Sequence, residues 1–321
     1  GVEFSVERLT EGGRRLLASA GLYLGLNVGA GLVLGWAIGW GGRETLVIAG
    51  ITGISSSAIV TKILVELRRL RHVETQLILG IIVLEDLFLA IYLAALAPVL
   101  GQADGVGESV LLFVRALGFL LLLAVVARYG SGVVGAVVRA DDDELLVVLF
   151  VGFALLMAGA ADVLGVSDAI GAFMAGLVLA GTAARHRIER MVLPLRDAFG
   201  ALFFFGFGLS IDPGDMRSVI GPASLAVVTS LALAVLAAVG AARINQLGRV
   251  AAANIACSVV ARGEFALILV SLAAGAGLDG RLAPFAAVYV LTLAIASPIL
   301  STHATTLSRL LPARLFVPAA P

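Results

Sequence analysis

The stretch Ile81-Ile82-Val83-Leu84-Glu85-Asp86-Leu87-Phe88-Leu89 sets two adjacent carboxylates inside an apolar run that reaches from Gln76 to Leu100. A run of that length crosses a bilayer as a helix. Each carboxylate at membrane depth costs at least about 2.5 kcal/mol, so a chain that keeps two side by side must use or neutralise them. The chemistry that fits is the binding and release of cations and protons.

The rest of the chain has the same character. Of its 321 residues, 60% are hydrophobic and 14% charged, with a mean hydropathy of +1.07, which reads as an all-α polytopic membrane protein whose first partner is the lipid bilayer. A formal net charge of +0 argues against nucleic acid as a partner. The single cysteine, Cys257, can form no intrachain disulfide. No phosphate loop, metal-ligand cluster or nucleophile triad is visible, so enzymatic chemistry is not expected.

Apolar runs bounded by charge or by Gly and Pro give about ten spans: 16–38, 45–65, 76–100, 109–128, 145–161, 168–183, 197–211, 218–240, 250–274 and 282–301. The short ones, 168–183 and 197–211, are expected to be broken or steeply packed. With the first end cytoplasmic, Arg8, Arg14, Arg15, Lys62, Arg68, Arg69, Arg71, Arg128, Arg139, Arg185, Arg187, Arg190, Arg196, Arg243, Arg249, Arg309 and Arg314 fall on one side. Only Arg43, Arg217 and Arg281 fall opposite, and that split of 17 against 3 supports the span count and a cytoplasmic C-terminus.

A weak repeat links the two ends. Gly1-Val-Glu-Phe-Ser-Val-Glu-Arg8 opens the first three spans and Gly208-Leu-Ser-Ile-Asp-Pro-Gly-Asp215 opens the last three, so repeats are expected over about 1–100 and about 200–303. They start on opposite sides and are therefore inverted, a pattern of secondary transporters.

In each repeat the middle span is interrupted by polar residues. The second span places Thr52, Ser55, Ser56 and Ser57 with Gly50 and Gly53 at mid-membrane; the ninth places Arg262, Gly263 and Glu264 at the corresponding depth. Glycine weakens the helix and hydroxyls can take over freed backbone bonds, so each site can unwind and expose carbonyl oxygens and helix dipoles to an ion. Small-residue packing alone would account for the serines but not for the charges. Arg262 needs an acid within reach. Glu264 points elsewhere on a regular helix, which leaves Glu85 or Asp86 as its expected partner. Asp162, Asp168 and Arg115 are weaker candidates. Asp141 to Glu144 reads as a solvated acidic loop, and His72 and His186 as exposed loop residues with pH sensing as the sharper alternative.

Four segments in this order resemble the monovalent cation:proton antiporters, particularly the KefB/KefC-like branch. They are Gly1 to Leu9, then Ile54-Ser-Ser-Ser-Ala-Ile59, then Asp168 to Ala180 with Leu202-Phe-Phe-Phe-Gly-Phe-Gly-Leu-Ser210, and lastly Arg262-Gly-Glu-Phe-Ala266. The resemblance implies two crossed, interrupted helices around Ser55 to Ser57 and Arg262 to Glu264, with Asp86 as the essential carboxylate that holds a monovalent cation. It also implies a homodimer in the cell membrane, no tightly bound cofactor, and transported K+ or Na+ and H+. Regulation would come from a cytoplasmic subunit or from a C-terminal domain beyond Pro321. Two departures stand out: Glu85 replaces the family's Gln, Asn or Asp, and two or three scaffold helices that precede the first segment in the family are absent. The chain is therefore expected to be part of a longer one.

The expected cycle has Asp86 alternate between a proton and a dehydrated cation, with exposure to each side in turn. If Glu85 neutralises Arg262, exchange is one for one; if Glu85 is free, two protons move per cation. Potassium is favoured over sodium from the branch resemblance. Two other classes remain open at this point: a sodium-coupled carrier of an organic anion, with Arg262 as donor, and a ligand-gated potassium efflux channel.

Overall fold

The computed structural model describes residues 6–102, 106–126, 129, 142–164, 168–182, 184–209 and 211–316. Eight segments are long and apolar enough to cross a membrane: 13–38, 42–66, 73–96, 143–163, 185–209, 214–244, 249–275 and 282–302. Two further apolar helices, Val106–Val125 and Asp168–Ala180, fall where the other two spans are expected. Among the described residues the elements are helices, so the chain is an all-α polytopic membrane protein.

In chain order the helices are α1 (Val6–Ile38), α2 (Gly42–Gly53), α3 (Ser57–Glu66), α4 (Val73–Ala97), α5 (Val106–Val125), α6 (Asp143–Val163), α7 (Asp168–Ala180), α8 (Arg185–Leu209), α9 (Pro213–Ile244), α10 (Arg249–Val259), α11 (Glu264–Gly275) and α12 (Leu282–Thr302). One expectation is corrected here. The seventh span is neither short nor broken: α8 runs unbroken for 25 residues with Pro194 inside it. Arg185, Arg187, Arg190 and Arg196 are its first turns rather than a loop, because long cationic stems can cover apolar surface while their heads stay in water.

The chain divides into two compact units, residues 90–209 and residues 6–89 with 210–321. In the first, α6 packs on α7 and α8 around Leu146, Phe150, Leu179 and Ile188. The acidic run is more than a solvated loop: Asp142 caps α6 by accepting the Glu144 N–H at 3.2 Å, and Asp143 pairs with Arg187, whose Nε lies 2.8 Å away. Asp141 lies outside the described residues. Arg115 is exposed on α5, and His186, at 91% side-chain exposure, faces Glu189 at 3.8 Å.

The second unit holds α1, α2, α3 and most of α4 together with the helices from α9 to α12. The order uninterrupted helix, interrupted helix, uninterrupted helix occurs as α1, α2–α3, α4 and again as α9, α10–α11, α12. α1 lies against α2 and α9, α9 against α10 and α12, and α11 against α2 and α12. Lipid offers no hydrophobic drive between helices, so close packing of small side chains and hydrogen bonds must hold them. Accordingly Ala237, Ala238, Ala241 and Ala256 share a buried cluster with Tyr23, Val60, Ile78, Ile81 and Val259. Through Ile78 and Ile81 that cluster fixes the face of α4 one turn before Glu85. At one end of the unit Arg69 donates to Ser301 O at 2.7 Å, while Glu74 accepts from Asn254 and faces His72 Nδ1 at 3.2 Å. At the other end Asp279 pairs with Arg281, whose guanidinium sits 4.8 Å above the Trp40 ring.

Candidate functional site

The site begins where α2 and α10 stop. Ile54 (φ −122°, ψ 129°) and Ser56 (φ −85°, ψ 108°) are extended, as is Gly263 (φ −157°, ψ −142°). The two interruptions meet: Ser56 N–H donates to Ala261 O at 2.9 Å. A Cβ on Gly263 would lie 2.4 Å from Ser56 Oγ, so this approach requires glycine. Ser56 then caps α3 by accepting the Ile59 N–H at 3.4 Å.

Four helix ends converge here. α2 and α10 bring their C-termini, worth about −0.5 charge each, and α3 and α11 bring N-termini of about +0.5 each. Arg262, 0% exposed, answers the first two. Its Nη2 donates to Thr52 O at 2.8 Å and Asn27 Oδ1 at 3.1 Å; its Nη1 faces Val259 O at 3.0 Å, Val260 O at 3.2 Å, Ala261 O at 3.3 Å and the Tyr23 hydroxyl at 3.2 Å; its Nε donates to the Tyr289 hydroxyl at 3.2 Å. Glu264, half-buried in the first turn of α11, answers the N-termini and accepts from Ser56 Oγ at 3.0 Å.

The expected ion pair is not a direct contact: the Glu85 and Arg262 charges act on each other across the crossing, with no salt bridge between them among the described residues. Arg262 forms no salt bridge among the described residues, with Glu85, Asp86 or Glu264; backbone carbonyls at helix ends supply the negative charge it needs. All five of its N–H groups have acceptors, which leaves none for an organic anion. Glu85 is instead held by the first interruption: fully buried, it accepts the Ser55 N–H on Oε2 at 2.8 Å, and its buried Oε1 receives no hydrogen bond among the described residues. Asp86, one position on and about 100° further round α4, is half-buried. The two carboxylates therefore have different surroundings on one helix.

The hydroxyls divide as well. Ser55 Oγ donates to Val259 O at 2.6 Å, tying one interruption to the other. Thr52 Oγ1 is turned to backbone oxygens, among them Asn27 O at 3.2 Å and Ile48 O at 3.0 Å. Ser57 starts α3 half-buried and takes no part in the hydrogen bonds of the crossing among the described residues. Four residues of the site escape a reading for charge and interruption. Tyr23 donates to Val259 O at 2.6 Å, Asn27 donates to Tyr23 O at 2.9 Å, and Tyr289 shares a 2.7 Å hydrogen bond with Ser230. Asn27 carried a signal, an amide in the middle of an apolar span, and Tyr23 lies four residues before it on the same helix face.

The donors gathered here are oxygens of carboxylates, hydroxyls and carbonyls, suited to hard monovalent cations. Among the described residues no group of three or more His, Cys, Asp or Glu could hold a metal ion. Discontinuous helices that meet at a buried ionisable centre define a class, the polytopic helical transporters. The chain belongs to the sodium/hydrogen exchanger family, whose transmembrane model matches residues 1–303. It is 39% identical over 312 residues to the K(+)/H(+) antiporter subunit KhtU of Bacillus subtilis (strain 168), covering 97% of this chain and 77% of that protein. It is 28% identical to the ammonium/H(+) antiporter subunit AmhT of Alkalihalophilus pseudofirmus, over 96% of this chain and 78% of that one. It is 26% identical to the high-affinity Na(+)/H(+) antiporter NhaS3 of Synechocystis sp. (strain PCC 6803), over 77% and 57%. The chain is thus a membrane transporter of the cation–proton antiporter kind and not an enzyme.

Proposed function

We propose that this protein exchanges a monovalent cation, potassium in preference to sodium, for protons by alternating access, with Asp86 as the carboxylate that both ions share. The observation that carries this reading is the division of labour on α4. Glu85 meets the first interruption at the Ser55 N–H, while Asp86, the next residue on the same helix, lies half-buried on another face, so the two acids are set apart and Asp86 is the one proposed to hold a proton or a cation in turn. Ser55 and Ser56 bring hydroxyl oxygens to the interruption that Glu85, the residue before Asp86, contacts. The potassium preference draws on the relative named a K(+)/H(+) antiporter subunit, and ammonium, the ion in the second relative's name, is close to potassium in size. Glu85 makes no direct contact with Arg262 among the described residues, which favours a carboxyl that can itself titrate over strict one-for-one exchange.

The protein acts in the cell membrane with its C-terminus in the cytoplasm, as a homodimer. Two relatives are named as antiporter subunits, which supports a cytoplasmic regulatory partner here. The test is proton flux in proteoliposomes driven by K+, Na+ or NH4+ gradients. Wild type should exchange, K+ should be most effective, and Asp86→Asn should abolish exchange while leaving the protein folded. Full exchange in Asp86→Asn, or single-channel currents without proton counterflow, would sink the proposal.

A further inference from the structure

Val259 O, the last carbonyl of α10, faces three donors: the Tyr23 hydroxyl at 2.6 Å, the Ser55 hydroxyl at 2.6 Å and Arg262 Nη1 at 3.0 Å. A carbonyl oxygen has two lone pairs, so two of the three satisfy it. Tyr23 has little alternative. Its oxygen already receives Arg262 Nη1, and the other group beside it is Ser55 Oγ at 3.2 Å. Arg262 is fixed by its planar fork and its acceptors on α1, α2 and α12. Ser55 is different: its hydroxyl rotates, and its own N–H already bonds Glu85 at 2.8 Å, which brings its side chain next to that carboxyl.

We infer that Tyr23 is a positioning residue for proton coupling: with Arg262 it satisfies Val259 O, and so frees the Ser55 hydroxyl to turn to Glu85 whenever that carboxyl gives up its proton. Glu85 is then a second acid of the exchange cycle, and the switch presupposes the cation–proton exchange proposed above. No bond is made or broken at Ser55. Its O–H rotates intact from Val259 O to the Glu85 carboxylate, the Glu85 proton leaves to water, and reprotonation returns the hydroxyl. The charged and titratable groups that act on Glu85 or border its partners are Tyr23 of α1, Arg262 and Glu264 at the second interruption, Tyr289 of α12 and Asp86 on its own helix. Ser230 is the neighbour from α9.

In Tyr23→Phe the Ser55 hydroxyl must stay on Val259 O, the ionised carboxyl loses a donor, and exchange needs a higher pH. The pH midpoint of cation-driven proton flux should rise by about one unit, the equivalent of one hydrogen bond to a charged group. Ser55→Ala should raise it similarly, the double variant should not add the two shifts, and Ser55→Thr, which keeps the hydroxyl, should stay near wild type. In a Glu85→Gln background Tyr23→Phe should leave the midpoint where it is. A Tyr23→Phe protein that is slower but has an unmoved midpoint would show a merely structural role and overturn the inference, as would fully additive shifts. Should Tyr23→Phe not fold, Ser55→Ala decides alone: a wild-type midpoint overturns the switch. Wild type without cation-dependent flux would remove the exchange reading and the switch together, whereas normal wild-type exchange with unmoved midpoints removes only the switch.

Discussion

The two interruptions share a geometry and differ in how they are held. At Ile54 to Ser56 the ties are hydroxyls and backbone N–H groups, neutral and in part free to rotate. At Val260 to Gly263 the tie is one guanidinium that reaches groups on α1, α2, α10 and α12. A rigid five-donor fork suits a fixed post, and a hydroxyl rotor suits a place where charge changes during a cycle. The contrast teaches that Arg262 and Glu264 answer the four helix ends of the crossing, while α4 reaches it through the bond of Glu85 to the Ser55 N–H. Two helix C-termini balance about one positive charge and two N-termini about one negative charge.

The largest effect should come from Arg262→Met. It strips donors from Thr52 O, from the α10 carbonyls, from Asn27 and from both tyrosines, and the loss should be about 3–5 kcal/mol, read as a large fall in unfolding temperature in detergent. Arg262→Lys keeps the charge but has three donors on a flexible stem, and should fall between. Glu85→Gln is the counter-test. Because Glu85 makes no direct contact with Arg262 among the described residues, that variant should change stability by less than about 1 kcal/mol; a loss as large as that of Arg262→Met would mean that the two act as one buried pair.

Next in size is Gly263→Ala, whose methyl would lie 2.4 Å from Ser56 Oγ and 2.6 Å from Ser56 Cβ. Forcing the interruptions apart should cost about 1–3 kcal/mol. Ser56→Gly removes both clashing atoms, so the double variant should recover part of the loss, a coupling of about 0.5–3 kcal/mol in a double-mutant cycle. Independent, additive losses would mean that the two interruptions do not touch as described.

Much of this arrangement is legible in the chain because polar residues stand out in apolar spans. Ser55 to Ser57 and Arg262 to Glu264 mark both interruptions, and the ten apolar runs fall on the helices. What the letters hide is the partner of Arg262. An arginine in a membrane asks for negative charge, and the letters that carry negative charge are Asp and Glu. Here the charge comes from carbonyl oxygens at helix ends, which every residue has and none advertises. Tyr23 and Tyr289 are hidden for a related reason, since a tyrosine in an apolar run looks like packing until its hydroxyl is seen against a carbonyl. The start of α8 at Arg185 is hidden because a row of arginines reads as a loop, although long cationic side chains reach water from a helix just as well.

The smallest effect concerns the ends of the interrupted helices rather than their middles. Asp279, in the loop after α11, donates its N–H to Glu44 Oε1 of α2 at 3.4 Å and pairs with Arg281. It thus links the segment that enters the first interruption to the one that leaves the second. Arg281 holds the Asp279 carboxyl below its ordinary range by hydrogen bonding. A carboxyl depressed in the folded state contributes stability above its unfolded value, about 3.9, and loses that contribution as pH falls through the lower folded value. Such a surface pair is worth little and is weakened by salt. Asp279→Asn should therefore unfold only slightly earlier than wild type between about pH 5 and about pH 7, and the gap should close below about pH 4. Its exchange rate should stay near wild type, because the groups that change charge lie at the crossing. If Asp279→Asn instead slowed exchange as much as Ser55→Ala does, the fixed and adjustable parts of this unit would be divided along the helix ends, and the contrast between the two interruptions would lose its meaning.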